Sequence, residues 1–250
     1  MAYDRWVITT WGRTGSMALG EQLFNHLTDI RRGPIQWLHN ERTGGYVIPT
    51  PWTLIHSHSL EQLHYIKDIN TGVVYAIRSP SDAGLSMLIC YSLSSWHLHT
   101  EKSLNEKRKR LSDPGFEDRW HIYNRELKEN DRRINSKPLQ VNLNDLNDYR
   151  NQCIDWNNTA VEILASLEKP IIIINYNDWL GDLEKSAKIL NISHNENIEL
   201  SVLPTIKSLS EQIFNYDEVL DWIQSHSAED LDFIERWADI PLINSIRTCP

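Results

Sequence analysis

The sequence predicts an α/β fold: a central, mostly parallel sheet with helices on both faces. Three observations predict it. Strand-length apolar runs alternate with helix-length periodic ones along the chain, as in repeated βαβ units. Two of the runs, Gly72–Ile77 and Pro170–Asn175, are apolar almost throughout, as strands covered on both faces are. Four strand ends carry distinctive polar residues: Arg13 with Ser16, His56 with His58, Arg78 with Ser79, and Asn175 with Tyr176. Ligands of parallel sheets sit beyond the carboxyl ends of the strands, so these ends predict one shared site.

The first element sets the pattern. Val7, Ile8, Thr9 and Thr10 form a β-branched run that breaks at Gly12 and passes Arg13, Thr14, Gly15 and Ser16. It then enters the helical spacing of Met17, Leu19, Leu23, Phe24 and Leu27. Strand, tight turn and helix leave backbone N–H groups free at a helix N-terminus, where the macrodipole favours an anion. Arg13 adds a permanently charged, planar fork suited to phosphate or sulfate oxygens. The same stretch also reads as an ordinary βα connection with a surface arginine.

Arg31–Pro34 then breaks the chain, and Asn40–Pro51, rich in Gly and Pro, reads as a loop. Trp52–Ser59 reads as the second strand, Leu60–Ile66 as a short helix and Asn70–Gly72 as a turn. After the strand Gly72–Ile77, Arg78-Ser-Pro-Ser-Asp82 is a helix start with Ser81 or Asp82 as the cap, and the helix covers Ala83 to Ser95. From His97 to Pro138 the composition changes. Lys102 and Lys107–Arg110 cluster, as a solvated helix face or a docking patch for an acidic acceptor, and Phe116, Trp120 and Tyr123 lie in a further helix. Asn144–Leu167 is a long amphipathic helix. Pro170–Asn175 is the last strand, followed by helices at Asp182–Leu190, Leu209–Ser225 and Glu229–Ala238.

The length of 250 residues suits a single domain spanning the chain, with 97–138 as its unmatched segment. A formal net charge of −9 argues against nucleic acid as a partner, so an anionic ligand needs a local basic pocket. Three widely spaced cysteines form neither a disulfide framework nor a metal site, and no His/Cys group has zinc-ligand spacing. No apolar run has the length of a membrane span, and no signal peptide precedes the first strand, so a cytoplasmic setting is expected. Ten tryptophans suggest stacking or sugar-binding surfaces besides the core. Oligomeric state is left open.

Gly12–Ser16 is not a Walker A loop, because no lysine precedes Ser16, and no acidic residue ends an apolar strand in Walker B fashion. That points to a nucleotide other than one being hydrolysed with a metal. Trp11-Gly-Arg-Thr-Gly-Ser-Met17 resembles the 5′-phosphosulfate loop of the sulfotransferases that use 3′-phosphoadenosine 5′-phosphosulfate (PAPS), with Arg13 where cytosolic members usually carry lysine. The stretch Val73–Ser86 resembles their 3′-phosphate motif, a strand ending in Arg-x-Pro-x-Asp with a serine eight residues after the arginine. Ile172–Leu180 resembles the family's Tyr-Glu-Asp-Leu segment with Asn177 in the glutamate's place, and Asn215–Glu218 its Asn-x-x-Glu pattern.

This resemblance implies a P-loop NTPase-like sulfotransferase fold, PAPS as donor, PAP as product and no metal. It implies that Gly12, Arg13, Thr14, Gly15, Ser16 and Met17 hold the 5′ end, Arg78 and Ser86 the 3′-phosphate, and Tyr176 the adenine. Sulfuryl transfer needs a base for the acceptor hydroxyl and positive charge for the departing phosphate. Ser57-His58 matches the family's strand-end pair, which makes His58 the expected base and Arg13 the group that stabilises the bridging oxygen. His56 lies on the same strand face and is the rival, and some relatives use a glutamate. Trp96, His97 and His99 either line an acceptor site or rim the core. Lys207 or Arg247 would close over the nucleotide, although the family's Arg-Lys-Gly segment is absent. The acceptor is a small molecule or glycan bearing a hydroxyl or amine. A P-loop small-molecule kinase and a non-catalytic nucleotide-binding module are the alternatives.

Overall fold

The computed structural model describes residues 3–32, 35–39, 47–113, 117–179, 182–192, 202–203 and 207–238. The chain opens with β1 (Arg5–Thr9), α1 (Ser16–Arg31), β2 (Gln36–His39), β3 (Thr53–Ser57), α2 (Glu61–His64), β4 (Gly72–Ile77) and α3 (Pro80–Leu93). The middle holds β5 (Leu98–His99), α4 (Glu101–Lys109), α5 (Glu117–Asn135) and α6 (Leu143–Ser166). Then come β6 (Ile171–Asn175), α7 (Tyr176–Trp179), α8 (Leu183–Leu190), β7 (Val202–Leu203), α9 (Leu209–Gln212), α10 (Tyr216–Ser225) and α11 (Ser227–Ala238).

Five strands pair in the order β2-β3-β1-β4-β6, all parallel, so the expected α/β class holds. β1 lies at the centre. Its partners β3 and β4 lie on opposite sides, which makes its carboxyl end the point where the winding reverses and a crevice opens. Strand side chains alternate between two apolar layers. Val7, Ile55, Val73, Tyr75 and Ile171 meet Leu63 of α2, Ala160 and Leu164 of α6, and Phe233 and Trp237 of α11. Trp6, Ile8, Leu54, Val74, Ala76 and Ile174 meet Leu19, Leu23 and Leu27 of α1 and Leu190 of α8. Each fully buried leucine of α1 contributes about 1.5–3 kcal/mol, which fixes that helix and the loop before it. A third cluster joins α3 to α6 and α10 through Leu85, Ile89, Leu146 and Val219.

Several details differ from the sequence expectation. β2 is an edge strand that the breaker at 31–34 and the loop at 40–51 concealed; four residues are too short to show a period. α3 starts at Pro80, and its cap is Ser79, whose hydroxyl accepts from Asp82 N, rather than Ser81 or Asp82. Proline at N1 explains the shift, since its missing N–H would be unsatisfied there anyway. The expected helix 209–225 is two, α9 and α10. Between them Ile213 bridges Leu139, and Phe214 N donates to Leu139 O at 2.8 Å. No helix among the described residues is long and apolar enough to cross a membrane. Phe116, Leu180, Arg247, Cys249 and residues 40–46 lie outside the described residues.

Candidate functional site

Strand alternation decides which strand-end side chains meet. Leu54 and Ala76 face α1. His56 and Arg78 continue that face two residues further on, and meet the start of α1 beyond the sheet.

The loop from β1 to α1 emerges at the sheet's centre. Gly12 (φ 136°), Arg13 (φ 55°) and Gly15 (φ 77°) take left-handed conformations. Backbone of this kind turns successive N–H groups into one concavity that suits an anion. Among the described residues, the N–H groups of Arg13 through Met17 donate to no backbone acceptor. Holding a non-glycine residue such as Arg13 left-handed costs about 1–2 kcal/mol, and strain of this sort collects at functional sites. Gly15 also meets a steric limit. A Cβ there would lie 2.7 Å from ring carbons of both Trp179 and Tyr176, so these rings close directly over the loop.

Two threonines hold the loop to the sheet. Thr10 Oγ1 donates to Ala76 O at 2.8 Å, which uses its one proton. The 2.6 Å contact between Thr10 and Thr14 must then be donated by Thr14 Oγ1. Thr14 is buried, and its N–H rather than its hydroxyl is left to meet an anion.

The arginines approach from two sides. Arg78 Nη1 donates to Arg13 O at 3.1 Å, and its guanidinium stacks over the Tyr176 ring at 4.5 Å. Arg78 Nε is buried with no hydrogen-bond partner. Arg13 Nε donates to Ser86 Oγ at 3.1 Å and Nη1 to Trp96 O at 2.5 Å. Ser86, expected beside Arg78, is thus engaged by Arg13. No described carboxylate lies within 4 Å of either guanidinium. Burial does most to push the Arg13 guanidinium below its ordinary value, and the like charges of Arg133 and Arg78 add to it; Cys90 and Tyr176 pull the other way.

The two histidines sit edge to face, ring centres 4.7 Å apart. His56 is fully buried, with Nε2 2.8 Å from Ser16 Oγ. His58 is half-buried, and its Nδ1 lies 3.1 Å from Thr10 O. A carbonyl only accepts, so in the neutral ring Nδ1 carries the proton and Nε2 is the basic nitrogen. Met17 is half-buried in the first turn of α1.

The structure therefore brings Gly12, Arg13, Gly15, Ser16, His56, His58, Arg78, Ser86 and Tyr176 together at the carboxyl end of the sheet. Lys207 is elsewhere: its ammonium donates to Ser136 O at 3.0 Å, at the end of α5. His99 is turned inward, 3.9 Å from the carboxylate of Glu126. Sequence reasoning missed Thr10 as the loop's lock, Trp179 as its cover and Arg133 as a neighbouring charge. Thr10 was legible only as a β-branched strand residue, and Arg133 sits in a segment without a motif. A comparison of the chain with protein-family models and with curated proteins finds no match.

Proposed function

We propose that this chain is a PAPS-dependent sulfotransferase acting on a hydroxyl or amine of a small-molecule or glycan acceptor. The observation that carries the reading is a set of polar groups with nothing to bind. Among the described residues, the loop N–H groups of residues 13–17 and the buried Arg78 Nε find no acceptor, and they flank a histidine anchored through Nδ1. A buried donor without a partner, such as Arg78 Nε, costs about 1–3 kcal/mol, and an anionic ligand relieves that cost. The residues fit a nucleotide with two anionic poles: the loop for one, Arg78 beside it for the other, and Tyr176 for the base.

PAPS would supply a sulfuryl group on a phosphate leaving group. The loop N–H groups would orient the anionic oxygens, and Arg13 would offset charge gathering on the leaving phosphate. His58 Nε2 would take the acceptor's proton, and the Thr10 carbonyl would stabilise the ring once charged. His56 suits that role less, since it is fully buried against Ser16.

Thermal melting with PAP, ATP plus Mg²⁺, or NAD tests the reading. Ligand at about 100 times its Kd should stabilise by about 2.7 kcal/mol. PAP is expected to raise Tm and NAD to leave it unchanged. No shift with millimolar PAP overturns the proposal, and a larger shift with ATP and Mg²⁺ favours the kinase. Transfer from labelled PAPS to phenols, alcohols and monosaccharides in EDTA then separates an enzyme from a binding module.

A further inference from the structure

One face of α3 carries Asp82, Ser86 and Cys90, and three arginines from other elements gather along it. Residues 82, 86 and 90 are successive neighbours on a helix face, about 6 Å apart in rise. Asp82 feels the charge of Arg78, Ser86 Oγ accepts from Arg13 Nε at 3.1 Å, and Cys90 Sγ accepts from Arg133 Nη2 at 3.0 Å. Arg78 comes from the end of β4, Arg13 from the loop and Arg133 from α5. Two of the three thus meet neutral groups, a hydroxyl and a thiol. A thiol is a weak acceptor for a guanidinium.

The ordinary partner for Arg133 would be Glu129, four residues earlier on the same helix. Glu129 turns away: its carboxylate accepts from Trp96 N at 3.4 Å and lies 3.7 Å from Arg125 Nε. No described carboxylate lies within 4 Å of Arg133. Arg133 is half-buried and close enough to Arg13 for the two to repel. In a chain of net charge −9, acids were available to neutralise it and are not used. Packing like charges side by side without a counter-ion is sustained where an anion completes the set.

We propose that Arg133 is a third cation of the loop site, supplied by α5, which engages the second phosphate of a bisphosphorylated nucleotide. It rests on the nucleotide reading above. Arg133 meets α3 at Cys90, one turn beyond Ser86, whereas the N–H concavity belongs to the start of α1. Arg133 therefore serves the phosphate that the loop does not hold, and makes the site select a bisphosphate over a monophosphate.

Calorimetric titration of the full chain with adenosine 3′,5′-bisphosphate and adenosine 5′-monophosphate tests this. Arg133→Gln is expected to weaken the bisphosphate by about 10-fold or more and the monophosphate by less than about 2-fold, the scale of one lost charged hydrogen bond. Arg133→Lys should recover part of the loss. A bisphosphate affinity that stays within about 2-fold of wild type overturns the proposal, as does an equal loss of both nucleotides. Should Arg133→Gln not fold, Cys90→Ala removes the anchor instead; the proposal then requires a smaller loss confined to the bisphosphate, and fails without it. Wild-type protein that binds neither nucleotide overturns the nucleotide reading and this assignment together, whereas intact wild-type binding with an unaffected variant removes only Arg133.

Discussion

The loop site and the helical segment that leans on it handle charge in opposite ways. In the segment, Lys107 Nζ lies 2.6 Å from the buried carboxylate of Glu126. Asn130 exchanges hydrogen bonds of 2.9 Å each way with the backbone of His99, and Ser95 Oγ donates to Glu129 O at 3.0 Å. Here an ion pair and a set of side-chain-to-backbone hydrogen bonds hold two helices and a short strand together. At the loop, Arg13, Arg78 and Arg133 hydrogen-bond to carbonyls, a hydroxyl and a thiol or stack on an aromatic ring, and Asp82 acts on Arg78 only from beyond 4 Å. The two regions touch where Arg13 donates to Trp96 O. Paired charge holds structure, and charge left without a counter-ion is what a ligand completes. That contrast says which substitutions should cost stability and which should cost function.

The largest effect should come from the loop side. His58→Ala is expected to lower transfer from PAPS by about 10²–10⁴-fold, the usual worth of a general base, with PAP affinity within about 2-fold of wild type. Retained transfer in this variant would return the role to His56 or to a carboxylate. Next, Arg78→Ala should weaken PAP by about 10–100-fold in calorimetry, at a stability cost of about 1–2 kcal/mol for the lost hydrogen bond to Arg13 O and the lost stack on Tyr176. A variant that binds PAP normally removes Arg78 from the site.

Gly15→Ala tests whether the loop's shape or its charge matters more. The new Cβ meets Tyr176 and Trp179 at φ 77°, so a loss of about 1–3 kcal/mol in chemical denaturation is expected, together with PAP binding. On the helical side the pattern should invert. Glu126→Gln is expected to lower stability by about 1 kcal/mol and leave PAP affinity unchanged; an equal loss of affinity would break the contrast between the two regions. Smallest of all, Lys107→Arg should cost under about 1 kcal/mol in chemical denaturation, because it keeps a cation beside the buried Glu126 carboxylate.

Much of the framework is legible in order and period alone. The unalternating apolar run at 72–77 is a buried interior strand, that at 170–175 is an edge strand with three half-buried residues, and the glycine-rich turn after Thr10 starts a helix. The polar strand ends converge because parallel strands place all their carboxyl ends on one edge, and alternation sets His56 and His58 side by side. Where local signals are short or compete, the reading slips. The edge strand 36–39 has too few residues to show a period, and Ser79 wins the cap from Ser81 because Pro80 occupies N1.

What the sequence determined by itself is therefore the parallel α/β frame, the βα loop at its centre and the roster of strand-end side chains, because these follow from near-neighbour backbone preferences and burial. Tertiary structure alone decided how those side chains are partnered. Thr14 turns its hydroxyl to Thr10, Ser86 receives Arg13, and Arg133 arrives from a helix 120 residues after the loop. Distances across such separations are set by packing of α3, α5 and the sheet, and no local pattern encodes them. Among the described residues the same packing leaves no carboxylate within 4 Å of the three arginines, which is the feature on which the role proposed for Arg133 depends.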